Sequence, residues 1–199
     1  MEIRPATEAD TDAIAGVITA AFGDEGPKVA AIWRDVVAGG LDRASLVATE
    51  RTDRSEGFED GVVGHVGLSH GWLDARDRLV DILVLSPLSV RPDRQGAGIG
   101  TTLLAAAVEA ARSTSAPAVF LEGDPRYYGA RGWQPADAHG IEAPSRRTPG
   151  PAFQVVPLAG SPLPSGRVVY RDVWWVHDSA GLRDPALAEV EAALGSGRS

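Results

Sequence analysis

Glycine occupies every second position in Gln95-Gly96-Ala97-Gly98-Ile99-Gly100-Thr101, between an apolar, strand-like stretch ending at Val90 and a run of helical periodicity. Glycines let a backbone approach a ligand closely and aim successive N–H groups at one point, and a helix N-terminus adds a partial positive charge. Together they can cradle a phosphate or pyrophosphate. The same glycines also suit a turn that only redirects the chain, so the surroundings must decide. Two known phosphate sites do not fit. Gly96, Gly98 and Gly100 lack the G-x-G-x-x-G spacing of a dinucleotide-binding unit, and the P-loop lysine is absent.

The turn needs a strand before it and a helix after it. Leu79 to Val90 is long, apolar and rich in β-branched residues, and Pro87 inside it removes a backbone donor, which predicts a bulge or a strand that parts from its neighbour. After the turn, Leu103, Leu104, Ala107, Val108 and Ala111 mark one face of a helix ending before Pro117.

Upstream, Ile3 starts an extended segment, Thr7 caps a first helix reaching Phe22, and Pro27 opens a second that Gly39-Gly40 closes. Leu46 to Thr49 and Val62 to Leu68 read as a hairpin across a polar turn from Ser55 to Gly61. Downstream come a buried strand Ala118 to Leu121, a short helix or turn from Pro125 to Arg131, and strands from Phe153 to Leu158 and Val168 to Val176. On the last of these Trp174 and Trp175 would face opposite sides. Pro185 to Leu194 reads as a modest helix. The expected class is α/β (α+β), a mixed, mostly antiparallel central sheet with flanking helices, with residues 1–176 as a single domain and 177–199 as a tail.

Composition narrows the function. With 199 residues, 44% hydrophobic and 23% charged, the chain can bury a full core. A net charge of −8 argues against binding nucleic acid, and neither Arg91 to Arg94 nor Arg146-Arg147 is long enough to follow a phosphate backbone. There is no cysteine, which excludes disulfides, thiolate metal sites and a covalent acyl-cysteine route. His65, His70, His139 and His177 show no ligand spacing, so no metal is expected. The N-terminus has no basic region followed by an apolar stretch, and no run approaches the roughly 18 apolar residues that span a bilayer, so the expected location is cytoplasmic, away from membranes.

Taken with its neighbours, the turn resembles the signature of the GNAT superfamily of acyl-CoA N-acyltransferases, Gln/Arg-x-x-Gly-x-Gly/Ala, met by Gln95, Gly98 and Gly100. In that family the strand before the turn splays from its neighbour and its free backbone groups hold the pantetheine arm. The resemblance places Leu88, Ser89 and Val90 there, with Gln95 to Thr101 at the pyrophosphate. Further on, Tyr128 to Trp133 is similar to the family's Tyr-x-x-x-Gly-Phe, with Trp133 in place of phenylalanine. The Gly-Asp-Pro-x-Tyr-Tyr form is most like the bacterial YhbS-like N-acetyltransferases, and the resemblance covers most of residues 1–176.

The resemblance implies an acetyl-CoA-dependent N-acetyltransferase acting by direct attack of a primary amine in a ternary complex. Tyr128 then takes the general-acid role, since a phenol with a pKa of about 10 can protonate a thiolate of about 8 to 9. The family glutamate six residues before Val90 is replaced by Val84, which leaves the base open. Glu122, at the end of a buried strand, is the foremost candidate, with Asp81, His65 and His70 behind it and a water chain to solvent as the other route. The expected partners are a small-molecule or peptide amine and a second copy of the chain. A catalytically inactive acyl-CoA-binding module or sensor, or an interaction protein in which the glycine turn is only structural, stays open as the alternative.

Overall fold

Arg4 and Asp10 fix how the chain enters its fold. Both guanidinium Nη atoms donate to the carboxylate at 2.7 Å, and Thr7 donates to the same group through its backbone N–H at 2.7 Å and its hydroxyl at 2.9 Å. Arg4 accordingly holds Asp10 well below the usual carboxylate range. The structure is a computed structural model that describes residues 1–50, 61–158 and 162–195. It divides into two compact units, residues 1–69 with 85–114 and residues 70–84 with 115–199.

In the first unit, β1 (Glu2–Pro5) pairs antiparallel with β2 (Asp42–Thr49), and β2 with the first part of β3 (Val62–Ala75), from Asp42↔Ser69 to Thr49↔Val62. The expected hairpin is therefore present, and β3 runs on past Leu68. Of its polar turn only Gly61 lies among the described residues. Thr7 caps a short 3-10 turn, Glu8–Asp10, and α1 (Thr11–Phe22) follows it. Next comes α2 (Gly26–Ala38), with Pro27 in its first turn as expected. Ile14, Val17 and Ile18 on α1 and Ile32, Trp33 and Val36 on α2 are buried. Gly67 on β3 lies against the Trp33 ring, with which any Cβ there would collide.

β4 (Leu79–Val90) continues from the second unit into the first and leads to α3 (Ile99–Arg112). Ile99, Leu103, Leu104, Ala107 and Ala111 form the buried face of α3, as the periodicity indicates. β4 is one strand, with no interruption at Pro87. Its parallel pairs with β5 (Ala118–Glu122) are Leu83↔Val119 and Val84↔Phe120, so β4 parts from this neighbour before Pro87, the second of the two expected outcomes.

The remaining elements of the second unit are α4 (Pro125–Gly129), β6 (Gln134–Pro135), β7 (Ile141–Glu142), β8 (Phe153–Pro157), β9 (Gly166–Val169), α5 (Asp172–Val176) and α6 (Ala186–Gly195). β5 and β6 pair antiparallel with β8, β9 is antiparallel to the second part of β3, and β7 is parallel to β9. The architecture is the expected one, a mixed and mostly antiparallel sheet flanked by helices.

The expected strand from Val168 to Val176 is not one element. β9 stops at Val169, and from Asp172 the chain is helical, with the acidic residue in the first turn where the helix dipole favours it. Trp174 and Trp175 therefore sit on α5. Trp174 is buried, while Trp175 is 44% exposed and donates its ring N–H to the Tyr170 carbonyl at 3.2 Å.

Candidate active site

Unit one carries the glycine turn. At the end of β4, Ser89 is buried and donates to the His65 carbonyl at 3.3 Å, while Leu88 and Val90 are half-buried. Arg91 is buried and grips Asp93 with Nε and Nη2 at 2.6 and 2.7 Å. Arg94 reaches the same carboxylate at 2.8 Å and Glu50 at 3.1 Å. Gln95 donates its side-chain amide to the Val90 carbonyl at 3.1 Å, tying the turn to the strand end.

Gly96 and Gly98 have φ angles of +78° and +83°. A Cβ at either would meet no atom within 4 Å, so the backbone conformation requires glycine and the space beside the turn is open. Gly98 caps α3, and its carbonyl receives the Thr102 N–H at 3.1 Å and hydroxyl at 3.2 Å. Ile99 buries its side chain and offers only backbone; Ala97 and Thr101 are exposed and Gly100 is half-buried. A helix N-terminus beside open space suits an anion. A pyrophosphate fits these residues.

His65 is fully buried, with Nε2 3.0 Å from the Ser45 hydroxyl, and burial lowers its pKa to about 3. Such burial suits a histidine packed in the core.

The second unit brings Glu122 and Tyr128 close in the chain and in space. Asp124 caps α4 by accepting the Arg126 N–H at 2.8 Å. The Tyr128 ring then lies on Gly123, the residue after Glu122, so closely that a Cβ there would overlap the ring. Tyr127 and Trp133 meet Tyr128 edge-on, with centroids at 5.0 and 5.9 Å. Trp133 thus fills the family's phenylalanine position as a buried packing partner of the tyrosine. Burial, reinforced by Tyr127, raises the Tyr128 phenol to about 12.

Burial also raises Glu122 to about 7, against the opposing pull of the Tyr170 and Thr148 side chains and the Arg147 charge. Its Oε1 is buried and has no hydrogen-bond partner. Tyr170 is buried as well, and burial lifts its pKa well above the ordinary phenol value. Sequence reasoning did not identify Thr148 or Tyr170, which lie on distant segments that carry no motif. His70 and Asp81 make a separate cluster: His70 Nε2 is 2.9 Å from Asp81, and its Nδ1 is 3.1 Å from Arg171, whose guanidinium lies over Trp72 at 4.6 Å. Both of its nitrogens are occupied, which suits a structural role.

Residues 2–136 match the family model of the GNAT acetyltransferase domain. The N-acetyltransferase YjhQ of Escherichia coli strain K12 is 30% identical over 140 residues, covering 69% of this chain and 72% of the relative. Among solved structures, the GNAT family N-acetyltransferase YhbS from Escherichia coli in complex with CoA superposes with a TM-score of 0.76 at 25% identity, covering 87% of this chain and 91% of that one. A GNAT family acetyltransferase from Brucella melitensis in complex with acetyl-CoA gives a TM-score of 0.66 at 26% identity, covering 87% and 97%.

Proposed function

Because the chain belongs to the GNAT family of acetyltransferases, we propose that it transfers the acetyl group of acetyl-CoA directly to a primary amine. The observation that carries this reading is the glycine turn opening α3, with two positive-φ glycines beside open space. Similar proteins that hold CoA and acetyl-CoA support the choice of donor.

The thioester supplies the activated carbonyl. Residues Gln95 to Thr101 take the pyrophosphate with their N–H groups, and Leu88 to Val90 offer backbone to the pantetheine arm. Glu122, with a pKa of about 7, accepts a proton from the incoming ammonium. The free amine attacks the thioester carbonyl, a backbone N–H near Val90 stabilises the oxyanion, and the C–S bond breaks. Tyr128 gives its proton to the departing thiolate and recovers one from solvent. The attacking nitrogen gives its second proton to solvent as the C–S bond breaks, and Glu122 then returns its own to solvent, so one net proton is released for each amide formed. Burial keeps Tyr128 protonated at working pH, and by the same shift to about 12 makes it a weaker donor to the thiolate than an ordinary phenol, so its proton passes only as the sulfur's charge develops beside it.

Thiol release from acetyl-CoA across a panel of primary amines tests this. Release is expected only with amine present, and Tyr128→Phe is expected to lower kcat by about 100-fold. Unchanged turnover in that variant removes Tyr128 from the mechanism. Acetyl-CoA binding without release for any amine identifies an inactive binding module instead.

A further inference from the structure

A cavity of about 370 Å³ in the second unit is lined by Glu122, Pro149, Ala152, Leu182, Val190 and Leu194 among others. That volume lies in the range of small-molecule sites, roughly 300 to 1,000 Å³. One wall is α6, a helix with no buried residue of its own. Most of the lining is apolar, and the Glu122 Oε1 is a buried oxygen without a hydrogen-bond partner. At the rim the exposed Asp124 and Arg126 pair with each other at 3.5 Å. An apolar chamber with one unsatisfied carboxylate oxygen suits a ligand that brings one cationic donor and an apolar body.

We propose that this cavity is the acceptor site and takes a primary amine whose ammonium donates to Glu122 while an alkyl or arylalkyl body packs against Ala152, Val190 and Leu194. The proposal rests on the acetyltransferase reading and names its substrate class. The raised pKa of Glu122 agrees with it, since a desolvated carboxylate gains most from a cation brought to it. Polyamines and aminoglycosides are disfavoured, because a second positive charge would meet apolar wall or, at the rim, an Asp124 carboxylate already paired with Arg126.

The test uses the full chain and phenylethylamine as the probe, with binding measured by calorimetry and turnover by thiol release. Phenylethylamine is expected to bind without acetyl-CoA, and to be used with a kcat/KM about tenfold or more above that of spermidine. Val190→Trp, which fills the cavity, should raise the phenylethylamine Kd and KM by about tenfold while leaving the acetyl-CoA Kd within about twofold. If Val190→Trp lowers Tm, Leu194→Trp on the same helix carries the same expectation. Equal or better use of spermidine, an unchanged phenylethylamine Kd in the filled variant, or weakened acetyl-CoA binding in its place overturns the assignment. Absence of acetyl-CoA binding and of thiol release defeats the acetyltransferase reading alone, and phenylethylamine binding to the wild type and the filled variant still decides the cavity.

Discussion

Gly96 and Gly98 hold positive φ angles with open space beside them, whereas Glu122 is defined by what covers it. In the first region the backbone presents the chemistry, and the side chains of Arg91, Asp93, Arg94 and Gln95 brace the turn through hydrogen bonds to one another and to Val90. In the second, loss of solvent lifts a carboxyl group of ordinary type, against the opposing pull of Tyr170 and Thr148. A backbone site should tolerate changes in neighbouring side chains and fail when a dihedral is forbidden. A burial-made site should respond to pH and to single-atom changes.

The largest effect expected from that contrast is at Glu122. Glu122→Gln should lower kcat by about 100-fold and abolish the rise in kcat that the wild type shows as pH passes through about 7. Stability gives an independent readout. The folded pKa of about 7 lies above the ordinary value of 4.5, so the folded state holds a proton that the unfolded chain releases, and stability falls as pH rises between those values. Thermal melts at pH 5 and 8 should therefore differ more in the wild type than in Glu122→Gln. A pH-independent wild-type kcat would remove Glu122 as the base.

Gly98→Val comes second. Its cost is backbone strain, because nothing stands where the side chain would go, and a β-branched residue resists the left-handed conformation. The KM for acetyl-CoA should rise by about tenfold, with the pH inflection near 7 unmoved. A shifted inflection would show that the two regions are not separable. The smallest effect is at Gln95. Its amide braces the turn through Val90, so Gln95→Ala should raise the acetyl-CoA KM only about threefold, the worth of one exposed hydrogen bond. A loss near that of Gly98→Val would mean that Gln95 touches the donor itself.

The contrast also explains what could be read from residues alone. Glycines required by positive φ are visible as glycines, and the strand, turn and helix around Gln95 to Gly100 were legible for that reason, as were α1 to α3 and the hairpin of β2 and β3. Burial is not written in a residue's type: nothing near Glu122 announces Thr148 or Tyr170, and nothing at His65 announces that it is sealed beside Trp33. The stretch from Val168 to Val176 misled because its β-branched and aromatic residues favour a strand locally, while the chain leaves β9 after Val169 and buries Trp174 from a helix. Pro87 was legible as well, since β4 parts from β5 after Val84, within reach of the residue whose missing donor pointed to such a parting.

α6 has no buried residue, yet it forms a wall of the cavity beside Glu122. Substitutions along it meet little resistance from the core, because almost no packing depends on them. Residues at Val190, Ala193 and Leu194 can therefore change at less cost to the fold than the turn at Gly96 and Gly98, whose dihedrals admit little but glycine.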